Sequence, residues 1–352
     1  MSDTLTKFAY QTFQQGKSYF GLAHKALGTQ LFRLAYPGFQ RETKPLNPQL
    51  LLKLQERLHQ LLEKDWQDAE QGIYPSSLLF DNPWEDFFRY YPTIWLEMPE
   101  IWERSQQKRY QEFTPDINTE AYPSYYVQNF HHQTNGYLSD QSANLYDLQV
   151  ELLFGGSADA MRRRILAPLK QSLRAFGAVP PWQVRVLDIA CGTGRTLKAI
   201  RATLPQASLF GVDLSPAYLR KANQLLSQVP GELPQLAQAN AEELPYRDNY
   251  FHALTCIFLF HELPPEARQQ VIEQAFRVLQ PGGSFIICDS IQVSDSPELE
   301  PAMEGFHETF HEPYYKHYMR DDLVARLEKA GFQDIATEVH FMSKYLIARK
   351  PA

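Results

Sequence analysis

Val186-Leu-Asp-Ile-Ala-Cys-Gly-Thr-Gly-Arg-Thr-Leu197 is the stretch that decides the fold. It opens on apolar, strand-forming residues, reaches Asp188, passes through a loop holding Gly192 and Gly194, and turns into helix-forming sequence. Glycines placed there let the backbone approach a ligand at the carboxyl end of a first strand, where doubly wound sheets bind theirs. A dinucleotide fingerprint needs a third glycine three residues past Gly194, and Leu197 stands there instead, so the loop suits a nucleoside without a pyrophosphate. The next apolar run ends in Asp213, a carboxylate placed to accept both hydrogen bonds of a ribose diol.

Outward from that loop, residues 184–188, 208–213, 250–257 and 284–289 are short β-branched or apolar runs with helical material between them. The alternation predicts an α/β fold with a parallel, doubly wound sheet. Residues 333–338 and an antiparallel 341–349 are two further strands. The segment Ala239-Asn-Ala-Glu-Glu-Leu-Pro245 follows the second crossover, and Phe276-Arg-Val-Leu-Gln-Pro-Gly-Gly283 is a helix end and turn before the fifth strand.

Together these motifs resemble the class I S-adenosylmethionine-dependent methyltransferases, and more narrowly the group containing the ubiquinone and menaquinone biosynthesis C-methyltransferases. The resemblance covers residues 183–290 with specific motifs and is weaker from there to residue 349. It implies a Rossmann-like, seven-stranded sheet, S-adenosylmethionine as cofactor, and methyl transfer to a small apolar or aromatic acceptor. It implies that Asp188, Ala190, Gly192 and Gly194 hold the methionine end of the cofactor and that Asp213, followed by Leu214, holds the ribose. Asn240, beside Ala241, stands where the family has an aspartate that accepts from the adenine amino group, and an amide oxygen can accept the same bond. Ala190 stands where the family has glycine. Ile257, closing the fourth strand, completes the lining, and Tyr146, in a Tyr-Asp pair ahead of the catalytic fold, is expected to close over the cofactor. An aromatic face there would attract a sulfonium by roughly 0.5–2 kcal/mol.

If the acceptor must lose a proton, His261, just past the fourth strand, is the candidate general base. Glu262 reads as a first-turn helix residue. No metal is expected: His307 and His311 stand at helical spacing without a placed third ligand, and residues 306–318 read better as an aromatic wall for the substrate. Asp81-Asn-Pro-Trp84 imitates a signature of nucleic-acid amino-methylating enzymes, but no strand precedes it, and Asn82 and Pro83 suit a helix cap and first turn.

The chain has 352 residues, three cysteines and a formal net charge of -7. An acidic balance disfavours nucleic acid as a partner, and the widely spaced cysteines indicate neither a disulfide framework nor a zinc site. No apolar run approaches the about 18 residues of a membrane span, and no signal-peptide pattern opens the chain, so a cytoplasmic protein is expected. Three regions are expected. Residues 1–123 form a helical N-terminal region: an amphipathic helix or two up to Pro37, a helix over residues 50–70 capped by Asn47 and Pro48, and helical sequence over residues 82–113 interrupted by Pro92 and Pro99. Residues 124–180 form an aromatic lid segment and a lead-in helix over residues 158–176, with Arg162, Arg163 and Arg164 on its solvated face. Tyr125, Tyr126, Phe130, His131 and His132 either line an acceptor pocket or, the preferred reading, pack the helices against the sheet. Residues 181–352 form the catalytic domain. Two rival readings are a non-catalytic S-adenosylmethionine-binding protein whose helical region meets a partner, and a nucleic-acid methyltransferase.

Overall fold

Side chains along a strand alternate between the two faces of a sheet, and the apolar runs of this chain bury both. In the computed structural model, which describes residues 2–37 and 47–352, the strands are β1 (Arg185–Ile189), β2 (Ser208–Asp213), β3 (Gln235–Gln238), β4 (Phe251–Ile257), β5 (Leu279–Ser290), β6 (Gln333–His340) and β7 (Ser343–Arg349). They form one seven-stranded sheet in the order β3-β2-β1-β4-β5-β7-β6. β1 to β5 pair in parallel, and β7 runs antiparallel between β5 and β6. Leu187, Val212, Leu254 and Ile287 lie in one core cluster, while Val186, Leu209, Ala253 and Ile286 lie in another, one on each face. β1 sits between β2 and β4, so the strand order reverses at its carboxyl end and opens a crevice there.

The N-terminal half is helical. α1 (Ser2–Ala35) is one continuous helix. α2 (Pro48–Glu70) starts as expected, with Asn47 accepting from the Gln49 amide and Pro48 in the first turn. α3 (Trp84–Gln107) runs through Pro92 and Pro99 without a break. Each proline removes a helical hydrogen bond, yet Tyr91 and Trp95 pack on His24 of α1, and contacts of that kind hold the helix on both sides of Pro92. Asn82 does not cap α3. Pro83 occupies the cap position without a side-chain bond, and the Asn82 side chain accepts from Lys17 Nζ at 2.7 Å.

α4 (Asp140–Leu153) is followed by α5 (Ala158–Arg163) and α6 (Leu166–Ser172), so the expected single helix over residues 158–176 is broken. Its arginines are not solvated either: Arg162, Arg163 and Arg164 are all buried. Asp159 pairs with Arg162 at 2.8 Å, while Asp65 and Asp68 of α2 pair with Arg163 and Arg164. α7 (Arg195–Thr203), α8 (Pro216–Leu226), α9 (Pro265–Val278), α10 (Glu300–Phe310), α11 (Tyr315–Tyr318) and α12 (Leu323–Ala330) belong to the sheet half. The helical half shares its core with them: Tyr10, Trp66 and Tyr74 lie in the same buried cluster as Ile165, Ile200 and Tyr345. Among the described residues, no helix is long and apolar enough to cross a membrane.

Candidate active site

The loop between β1 and α7 uses its glycines for two different purposes. Ala190, Gly192 and Gly194 all adopt left-handed backbone, with φ of 55°, 54° and 83°. At Gly194 a Cβ would stand 3.1 Å from that of Ala222, so this glycine permits α7 to pack on α8. At Gly192 the nearest atom to a Cβ would be a Tyr218 ring carbon at 4.0 Å, and its N–H donates to Asp213 Oδ2 at 2.8 Å. The other oxygen of Asp213 accepts from the Ser215 amide at 2.8 Å. Burial raises the Asp213 carboxyl to about 6, despite those backbone bonds pulling the other way.

Ala190, Gly192, Asp213, Leu214, Asn240, Ala241, Ile257 and Tyr146 all line one cavity at the carboxyl ends of β1, β2 and β4. Asp188 and Gly194 do not. Asp188 is buried at the end of β1, accepts from Thr255 Oγ1 at 2.6 Å, and is raised by burial to about 7. Tyr125, Tyr126, Tyr137, Tyr218 and Glu262 complete much of the wall, and no lysine or arginine is among the lining residues. Asn240 Oδ1 accepts from the Glu242 amide at 3.0 Å, which leaves its second lone pair.

The aromatic segment is fastened over this cavity. Thr193 of the glycine loop donates to Asp147, the neighbour of Tyr146, at 2.9 Å. Ser215 donates to the Tyr137 carbonyl at 2.5 Å, and Ser142 and Tyr218 share a hydrogen bond of 2.9 Å. Tyr125 and Tyr126 thus line the cavity rather than only packing the helices on the sheet. Phe130 stacks on Tyr137, and His132 reaches the Thr309 carbonyl at 3.1 Å.

Beyond Glu262 lies a buried cluster of acids and histidines. Glu262 sits in a short turn over Phe260–Glu262, three residues before α9 begins, and is therefore not a first-turn residue of that helix. Its Oε1 accepts from the Tyr137 hydroxyl at 2.5 Å and lies 3.7 Å from His131 Nε2 and 3.9 Å from His261 Nε2. His131 Nε2 is also 3.0 Å from Glu312 Oε1. His261 does not line the cavity. Its Nδ1 faces Asp289 Oδ1 at 2.7 Å. Burial alone would pull its pKa down, but Asp289, Glu312 and Glu262 outweigh that and lift it to about 10. The candidate base is thus held by Asp289 beside the cavity rather than in its wall. His311 stacks on Tyr110 with ring centroids 3.8 Å apart and is not brought together with His307 as a ligand pair.

Residues 186–283 match the family described as the methyltransferase domain. Over this stretch the chain is similar to class I S-adenosylmethionine-dependent methyltransferase domains. It is 28% identical over 177 residues to a demethylmenaquinone methyltransferase of Lactiplantibacillus plantarum, an alignment that covers 50% of this chain and 69% of that one. It is 30% identical over 166 residues to a ubiquinone/menaquinone biosynthesis C-methyltransferase of Methylobacterium nodulans, covering 47% of this chain and 62% of the relative. A crystal structure of an S-adenosylmethionine-dependent methyltransferase from Aquifex aeolicus is 19% identical, with a TM-score of 0.38, and covers 51% of this chain and 87% of that one.

The methyltransferase domain departs from its family pattern at Ala190, whose positive φ explains why glycine is usual there. Sequence reasoning set Tyr125 and Tyr126 aside as packing, read Glu262 as a first-turn helix residue, and passed over Tyr218. The available signal was the density of tyrosines before residue 147, too polar for a core.

Proposed function

We propose that this chain transfers a methyl group from S-adenosylmethionine to a small, apolar or aromatic acceptor by in-line displacement at the carboxyl edge of the sheet. One observation carries the reading: the cavity wall joins the Asp213 carboxylate to the rings of Tyr126, Tyr137, Tyr146 and Tyr218 and holds no cationic side chain. A pyrophosphate would find no counter-charge there. A sulfonium would find aromatic faces and acids.

When bound, the cofactor supplies a methyl group activated by its sulfonium, with a neutral thioether as leaving group. The residues of the chain bind and orient. Asp213, fixed by two backbone N–H groups, presents its carboxylate to the ribose diol. Asn240 offers its remaining lone pair to the adenine amino group, and the bare backbone at Gly192 leaves room for the methionine end. Asp188 acts from beneath, setting the end of β1 through Thr255. The tyrosine wall keeps water from the reacting atoms, and positioning of that kind can supply several kcal/mol of the barrier reduction, about 7–11 in favourable intramolecular cases.

The test is a radiolabel assay with S-adenosylmethionine and a panel of phenols, hydroquinones and enolisable ketones. Labelled product from the wild type, lost in Asp213→Ala, is the expected result. Cofactor binding with no turnover on any acceptor would favour a binding protein over an enzyme.

A further inference from the structure

Three side chains converge where the cavity wall meets the buried cluster, and their geometry is that of a ligand set. In His131, Glu262 and Glu312 one potential ligand atom of each lies within 4.8 Å of the other two. Ligands held about 2.1 Å from one ion stand about 3.0 Å apart when at right angles and about 4.2 Å apart when opposite. The 3.0 Å from His131 to Glu312 and the 3.7 Å from His131 to Glu262 fall inside that window. His261 Nε2 stands 3.9 Å from Glu262, outside this set.

Two further observations point to an ion rather than to ion pairs alone. Glu312 is 1% exposed, and neither carboxylate oxygen accepts a hydrogen bond, although His131 Nε2 stands 3.0 Å from one of them. A buried carboxylate without donors is costly unless something else satisfies it. The supports around the set also match those of metal ligands. The Tyr137 hydroxyl holds Glu262 at 2.5 Å. His131 is kept at a φ of 54°, a strained backbone for a non-glycine residue, and this conformation brings its ring to the cluster.

We propose that His131, Glu262 and Glu312 bind one divalent transition-metal ion at the edge of the cavity. One imidazole with two carboxylates suits manganese, iron or zinc. Three protein ligands leave coordination positions free, and Glu262 lines the cavity, so the ion would take an oxygen-bearing group of the acceptor there. Metal binding stands on the side-chain geometry, whereas the role toward the acceptor rests on the methyl-transfer reading above.

The experiment strips the full chain with a chelator, then titrates it with Mn²⁺ by electron paramagnetic resonance and with Zn²⁺ by calorimetry. S-adenosylmethionine binding is measured on the same samples. The expected result is a single stoichiometric site, weakened about tenfold or more in Glu312→Gln and in His131→Gln and about unchanged in Asp213→Asn. Circular dichroism confirms that each variant is folded, and a wild-type titration decides the question if one is not. Absence of stoichiometric binding by the wild type, or equal binding by folded Glu312→Gln and His131→Gln, overturns the proposal. Cofactor bound without metal leaves the methyltransferase reading intact and ends this one; metal bound without cofactor does the reverse.

Discussion

The two halves of the chain are held together by different physics. The sheet half closes on apolar faces, with residues such as Leu187, Leu254, Phe285 and Ile287 fully buried. The helical half adds buried charge to the apolar cluster it shares: three successive arginines at the end of α5 meet Asp159, Asp65 and Asp68, and Tyr10 and Tyr74 donate to the same Asp65 at 2.5 and 2.6 Å. An apolar core tolerates small shifts in its contents, while a buried ion pair holds only in one arrangement. The charged clamp therefore sets where α4, and with it the tyrosine wall, lies relative to the glycine loop.

The largest effect should come from breaking that clamp. Arg163→Ala leaves Asp65 buried without its bidentate partner and is expected to cost about 3–5 kcal/mol of stability, measured by denaturant unfolding. A loss below about 1 kcal/mol would mean that the shared apolar cluster is enough to dock the helical half without the clamp. Within the sheet half, the two glycines separate stability from binding. Gly194→Ala meets both a strained backbone and Ala222, and should destabilise by about 1–3 kcal/mol. Gly192→Ala shares the strained backbone but leaves its methyl 4.0 Å from the Tyr218 ring, and should weaken S-adenosylmethionine binding more than it lowers the melting temperature.

A pH titration sharpens the same contrast. Asp213 ionises near 6 in the folded protein, above the 3.8 of a free aspartate. Cofactor affinity is then steady above that pH and falls as pH drops through it, because the ribose and the sulfonium both favour the ionised acid. The sign for stability is opposite: the raised carboxyl favours the folded state below 3.8, and that contribution is lost as pH rises through about 6. The smallest effect belongs to the exposed pair of Arg220 and Asp140, where Arg220→Ala should change stability by less than about 1 kcal/mol.

How much of this was legible in the sequence follows the same division. The glycine loop, Asp213 and the strand alternation are local patterns, and the sheet with its antiparallel last strand lies where they place it. Eight of the residues expected at the cofactor line one cavity. What stayed hidden depended on partners distant in the chain. A run of three arginines looks solvated until Asp65 and Asp68, more than ninety residues earlier, are brought beneath it. His131 and Glu312 come from opposite ends of the fold, so no spacing rule could join them. Pro92 and Pro99 were read by a local rule that aromatic packing on α1 overrides.

Calorimetric binding of S-adenosylmethionine and S-adenosylhomocysteine to the wild type and to Asp213→Ala tests the central claim most directly. Micromolar binding by the wild type, lost in a variant that keeps its circular dichroism and melting temperature, is the expected result. Failure of the folded wild type to bind either compound, or equal binding by Asp213→Ala, would contradict the assignment of this cavity to the cofactor.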